Sequence, residues 1–244
     1  MVTSESTAKN AIQEINGVPC IAFQQGVTLR YARATTASPA SDSDWQIMDV
    51  STADNVGGDV SLGSLGNIPM IGFGQRDFIP QLAFARATKV DPSLSTDWVW
   101  HFVEVDVKNT DSISFGVING LPALAYAERS GENSLQLARA SSTTPAAAGD
   151  WTFYAVDTQT KIIDVRLRYL AGMPAIGYFG GGGWPEVSLA EAGTTDPDDA
   201  GDWTIERLED RSSFHDMIEV QNQPAMVYSD DDTFTLYYYY RIPE

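Results

Sequence analysis

Pro122-Ala123-Leu124-Ala125-Tyr126 is a short apolar run opened by proline, and the chain carries it in five versions. The others read Pro19-Cys20-Ile21-Ala22-Phe23, Pro69-Met70-Ile71-Gly72-Phe73, Pro174-Ala175-Ile176-Gly177-Tyr178 and Pro224-Ala225-Met226-Val227-Tyr228. Successive prolines stand 50, 53, 52 and 50 residues apart. Two more marks keep the period. Asp44-Trp45, Asp97-Trp98, Asp150-Trp151 and Asp202-Trp203 recur at intervals of 53, 53 and 52 residues. Between them stand Tyr31-Ala32-Arg33-Ala34, Phe84-Ala85-Arg86-Ala87, Leu137-Ala138-Arg139-Ala140 and Leu189-Ala190-Glu191-Ala192, and a fifth copy has drifted to Tyr238-Tyr239-Tyr240-Arg241. Such periodicity means one supersecondary unit packed against its own copies.

Each unit holds four strand-like segments, A to D. In the third unit, Ser112–Ile118 runs through Asn119-Gly120, a strong hairpin signal, into Pro122–Tyr126. Leu135–Ala140 follows, and a Ser/Thr/Pro/Ala-rich loop leads to Trp151–Val156. No segment sustains a 3.6-residue apolar period, so helix content should be negligible. Four strands per repeat of this length predict an all-β, five-bladed β-propeller of four-stranded antiparallel blades, one domain over residues 1–244. The chain begins near strand A (Ala8–Ile15) and finishes with strand C (Phe234–Arg241), without a fifth Asp-Trp. Residues near Val2-Thr3-Ser4 are expected to supply the missing D strand and close the ring by pairing the two ends. A final blade of three strands is the alternative.

The order of strands A and B, strand C, then a loop to a Trp that opens strand D resembles the sialidase (BNR-repeat) propellers. A nearer likeness is to bacterial propeller repeats of unassigned function, carried here by Leu121–Tyr126, Leu135–Ala140 and Asp150-Trp151. This resemblance implies fold far more than function. Sialidases of that family carry Ser-x-Asp-x-Gly-x-x-Trp in the C–D loop. Ser41-Asp42-Ser43-Asp44-Trp45 keeps only the Trp, so sialidase activity does not carry over.

The formal net charge of −18, with only four lysines, repels nucleic-acid phosphates and anionic lipid, and excludes both as partners. Cys20 is the single cysteine and sits in an apolar strand, so no intrachain disulfide forms and a buried thiol is expected. No run approaches the roughly 20 apolar residues of a membrane span. Met1–Thr7 lacks the basic and apolar regions of a signal peptide, which leaves the compartment open, extracellular included if a leader was removed. No residue spacing calls for a cofactor or a metal. Asp230-Asp231-Asp232 lacks the spaced oxygens of a calcium loop.

Most repeated residues have structural tasks. Trp45, Trp98, Trp151 and Trp203 are expected to pack between blades. Asp44, Asp97, Asp150 and Asp202 should bond loop amides across the C–D turn. Arg33, Arg86 and Arg139 should reach those aspartates or backbone carbonyls, with Glu191 breaking the series. The B–C loops, by contrast, share nothing: Gln24-Gln25-Gly26, a second carrying Arg76-Asp77, a third carrying Arg129, Gly180–Trp184, and Asp230–Asp232. Divergence over a uniform scaffold predicts one composite site at the channel mouth, or no site at all. Eight residues before each repeat proline stand Ala11, Ser61, Ser114, Arg166 and Asp216, and six before stand Gln13, Gly63, Gly116, Arg168 and Ile218. These two columns are expected to face the channel, opposite Ile12, Leu62, Phe115, Leu167 and Met217.

Arg166 and Arg168 would then form an anion-binding pair or neutralise Asp216 and other channel acids. Trp184, after four glycines, would present an aromatic to a carbohydrate or anchor its loop. His215 lies beside Asp216, without the context of a triad. The expected function is a non-catalytic recognition propeller binding a glycan or protein at the mouth. A structural or assembly module and a glycoside hydrolase or lyase are the alternatives, the last drawing on Asp59, Asp111, Asp164 and Asp216.

Overall fold

A computed structural model describes residues 7–51, 56–75, 80–105, 112–128, 134–158, 162–180, 186–210, 212–230 and 233–240. Five antiparallel sheets succeed one another along the chain, as the five repeats require. The first joins β1 (Thr7–Ile15), β2 (Val18–Gln25), β3 (Thr28–Ala34) and β4 (Trp45–Ser51). The second joins β5 (Val56–Leu65), β6 (Ile68–Gln75), β7 (Gln81–Ala87) and β8 (Trp98–Val105). The third joins β9 (Ile113–Ile118), β10 (Leu121–Glu128), β11 (Ser134–Ala140) and β12 (Trp151–Asp157). The fourth joins β13 (Ile162–Leu170), β14 (Met173–Gly180), β15 (Glu186–Ala192) and β16 (Trp203–Asp210). The fifth joins β17 (Ser212–Val220), β18 (Gln223–Asp230) and β19 (Thr235–Tyr240). The inner strand of each sheet packs on that of the next, β1 on β5, β5 on β9, β9 on β13 and β13 on β17. The fold is a five-bladed β-propeller. Among the described residues the fifth blade has three strands. Val2-Thr3-Ser4, expected to complete it, lies outside the described residues.

The A–B hairpins turn through two residues with positive φ, as at Asn119 (48°) and Gly120 (74°), the turn whose twist suits paired strands. The repeat's apolar run then becomes the buried strand B, with Ala22, Ile71, Leu124, Ile176 and Met226 all fully buried. Blades meet through aromatic edges. Tyr31 lies 4.9 Å from Trp98 of the next blade and Phe84 lies 5.2 Å from Trp151, both edge to face. Glycine sets the spacing nearer the axis: a Cβ at Gly63 would stand 2.0 Å from Phe115, and one at Gly116 would stand 2.7 Å from Leu167.

The repeated aspartates do what the sequence reading expects. Each carboxylate accepts the backbone amides three and four residues back, at 2.8 Å from both Ala40 and Ser41 for Asp44. Asp97, Asp150 and Asp202 repeat the arrangement on their own loops. The Ser93 amide, Lys89 and the Leu94 amide hold Asp97 down to about 2 from 3.8. A depressed carboxylate lends stability above its unfolded value and loses it as pH falls through the folded one. Acid unfolding followed by circular dichroism between pH 4 and 2 should therefore be less steep in Asp97→Asn than in the parent protein.

The arginines meet one of their two expectations, since Arg33 Nη1 donates to the Ala34 carbonyl at 3.4 Å and Arg139 Nη1 to the Pro197 carbonyl at 3.3 Å. Arg33 reaches Asp91 at 2.6 Å and Arg139 pairs with Asp196, so both reach the next blade's C–D loop and not the Asp-Trp aspartates. Strand C of one blade ends beside the following blade's loop, which puts that loop within reach.

One tryptophan binds a histidine. Trp151 Nε1 donates to His101 Nε2 at 2.9 Å, a bond that needs an unprotonated ring nitrogen. Burial, with Arg86 adding to it against Asp150, lowers the His101 pKa below 6.5. The stabilisation is complete above the unfolded value and declines as pH falls through 6.5 toward the folded one. Melting temperature should drop between pH 7 and pH 5, and His101→Gln, which keeps an acceptor, should flatten that drop.

Candidate functional site at the channel mouth

Two neighbouring cavities lie among the inner strands, one of about 250 Å³ and one of about 410 Å³, with Ile12, Leu62, Phe115 and Arg168 lining both. The smaller is the more polar and contains Asp59, Ser61, Ser114, Arg166 and Arg168 in its wall.

The inner strands do not separate a channel column from a hidden one. Ser61 Oγ accepts from the Phe115 amide and Ser114 Oγ from the Leu167 amide, each at 2.8 Å, so this column faces the following blade. Phe115 and Leu167 press back on Gly63 and Gly116 from the other side. In a propeller both faces of a sheet are covered by neighbours, so alternation along strand A divides the following blade from the preceding one. Both columns border the axis at the strand edge, which corrects the expected assignment.

The position ten residues before the repeat proline carries the chemistry. It reads Lys9, Asp59, Ser112 and Asp164 in the first four blades. Lys9 Nζ stands 4.0 Å from Asp59 Oδ1. The other Asp59 oxygen accepts the Ile113 amide at 3.2 Å. Ser112 Oγ donates to Asp164 Oδ1 at 3.3 Å, and Arg166 Nη1 approaches the same oxygen at 2.5 Å. The two carboxylates thus bracket the dipeptide Ser112-Ile113, which limits their separation to roughly 10 Å.

Burial pushes the Asp59 carboxyl above its ordinary 3.8, and the Ile113 amide, Lys9 and Arg166 offset part of that rise. A raised carboxyl in a polar cleft is the condition for proton donation near neutral pH.

Asp216 lies apart from this pair, 3.2 Å from Arg168 Nη2 and more than half exposed. Arg166 and Arg168 are therefore each ion-paired, to Asp164 and Asp216. His215 lies in β17, but its side chain is outside the described set, and Arg76, Asp77, Asp111, Arg129 and Trp184 lie outside the described residues altogether. Sequence reasoning named Asp59 and Asp164 without choosing between four acids. Counting two residues further back along strand A would have placed both in one ring with Lys9 and Ser112. Among the described residues no cluster of His, Cys, Asp and Glu could hold a metal ion, and no helix is long and apolar enough to cross a membrane.

No known family profile matches the sequence, and no curated protein matches it. Solved structures match in fold. An endo-arabinase from Bacteroides thetaiotaomicron aligns over 100% of this chain and 96% of its own, at 10% identity and a TM-score of 0.54. An alpha-L-arabinofuranosidase from Clostridium thermocellum aligns over 95% and 84%, at 10% identity and a TM-score of 0.51. A Trypanosoma rangeli sialidase aligns over 97% of this chain and 47% of its own, at 12% identity and a TM-score of 0.54. These likenesses establish the propeller and agree with the sialidase-type repeats read from the sequence. They also correct the expected non-catalytic recognition module, since each of these similar propellers is named as an enzyme. Divergent loops on a constant scaffold look alike whether they bind or cleave, so that inference had no power to separate the two.

Proposed function

We propose that the chain is a glycoside hydrolase of the propeller type, with Asp59 and Asp164 as its paired carboxylates at the channel mouth. The observation that carries this reading is Asp59 itself. It is partly buried in a polar cavity with its pKa raised, and a second carboxylate stands across a single dipeptide from it. The names of the similar propellers, an endo-arabinase, an arabinofuranosidase and a sialidase, support the same reaction class.

Most glycosidases use one carboxylic acid to protonate the departing oxygen and one carboxylate to assist attack at the anomeric carbon, sialidases with their tyrosine nucleophile being an exception. Asp59 suits the first task because its surroundings favour the neutral form. Asp164, oriented by Arg166, Ser112 and the Val165 amide, suits the second. The anion-binding role expected of Arg166 and Arg168 becomes one of orienting acids and contacting sugar hydroxyls. The test is release of reducing sugar from arabinan, arabino-oligosaccharides and sialyllactose by the parent protein and by Asp59→Asn/Asp164→Asn. Product formed by the parent and lost in the double variant supports the reading. Equal product from both, or none from any glycan, sinks it.

A further inference from the structure

Arg33, Arg86 and Arg139 occupy one position of strand C in the first three blades, paired across to Cys20, Met70 and Ala123. Two of them hold a carboxylate of the next blade. Arg33 takes Asp91, and Arg139 takes Asp196 while donating to the Pro197 carbonyl at 3.3 Å. Both acids stand six residues before an Asp-Trp aspartate and directly before a proline. The corresponding residue opposite Arg86 is Thr144, followed by Pro145.

The loop itself has not changed shape. The Thr144 amide donates to Ser142 Oγ at 3.3 Å, as the Asp196 amide donates to Thr194 Oγ1 at 3.2 Å. Asp150 and Asp202 each gather the two amides behind them in the same way. A second acid of the Asp196 loop, Asp198, is also replaced, by Ala146. Among the described residues Arg86 makes no ion pair, and its buried Nε has no hydrogen-bond partner. The Nε of Arg139 is likewise buried without a hydrogen-bond partner, so what separates Arg86 from its counterparts is the missing carboxylate, and a cation left unpaired there costs free energy that they avoid. In a chain with a net charge of −18, keeping that cation while deleting its acid is conspicuous.

We infer that Arg86 and the Ser141–Thr144 loop form a socket for an external carboxylate, which takes the place that Asp91 and Asp196 fill in the neighbouring blades. Thr143 and Thr144 on that loop are exposed, and their hydroxyls would be further donors to the same carboxylate. The socket lies on the face of the C–D loops, away from the channel pair, and is independent of the hydrolase reading.

The test follows arginine Nε–H resonances by NMR during titration with sodium acetate and with glucuronic acid, against sodium chloride at equal ionic strength. One resonance should move saturably with the carboxylates and not with chloride, and it should be absent from Arg86→Gln. Thr144→Asp, which installs the acid its counterparts carry, should weaken acetate binding at least tenfold with an unchanged fold. Glucuronate binding at least tenfold tighter than acetate identifies a sugar-borne carboxylate, and equal binding identifies a free one. No saturable shift with either probe, or acetate binding by Thr144→Asp as tight as in the parent, overturns the proposal.

Discussion

Asp59→Asn is expected to lower the turnover of a responsive glycan by about 10²- to 10⁴-fold, the usual worth of a positioned proton donor. The pH profile gives the sharper readout. The donor must be protonated, so activity falls as pH rises through the Asp59 pKa, and the alkaline limb should vanish with the carboxyl. The Ile113 amide, Lys9, the Val60 amide and Arg166 are the groups that hold that pKa below what burial alone would set. Lys9→Met should therefore move the limb to higher pH, while Asp164→Asn should cost activity without abolishing the limb. Lys9 is 44% exposed and its ammonium is 4.0 Å away, so solvent screens it and the shift should be a fraction of a pH unit. An alkaline limb that stays put in Asp59→Asn would assign proton donation to another group.

Much of the molecule was readable before any coordinates. The prolines, the Asp-Trp pairs and the Asn119-Gly120 turn each report a local rule, and local rules repeated at one period add up to a blade. The site was harder to read for two reasons. A strand's alternation says which residues share a face but not what covers that face, so the Ser61 and Ser114 column, expected to face the channel alone, borders it only at the strand edge and also bonds the next blade. Bulges also interrupt strand A before the functional ring, between Val56 and Val60 and between Ile162 and Asp164, so counting along the chain does not follow the hydrogen-bond ladder there. The arginine partners were visible in principle. Asp91-Pro92 and Asp196-Pro197 mark the two loops that pair and Thr144-Pro145 the one that does not, but only the ring puts one blade's loop beside another's strand.

Arg207→Met is expected to destabilise the protein by about 3–5 kcal/mol, the cost of leaving a buried carboxylate without its cation. Arg207 occupies a column that reads Asp49, Phe102 and Ala155 in the other blades, so nothing in the repeat calls for a cation there. Its Nη2 lies 2.8 Å from Asp157 Oδ2 at the end of the preceding blade, and its Nε lies 3.1 Å from Glu186 Oε1. Nη1 donates to Ser188 Oγ at 3.0 Å and to the Tyr178 hydroxyl at 2.7 Å, and that hydroxyl donates to Asp157. Asp157 is only 6% exposed and Tyr178 is fully buried, so water cannot replace the guanidinium without opening the contact between blades three and four. For a chain of this length the loss should lower the melting temperature by on the order of 10 °C. Removing the charge as well separates the causes: Asp157→Asn keeps an acceptor for Tyr178 but needs no cation. The double variant Arg207→Met/Asp157→Asn should therefore recover a substantial part of the stability lost by Arg207→Met alone. If the double variant melts lower than Arg207→Met by the full cost of Asp157→Asn in the parent, the two side chains are not coupled, and Arg207 stabilises the blade through packing of its alkyl stem.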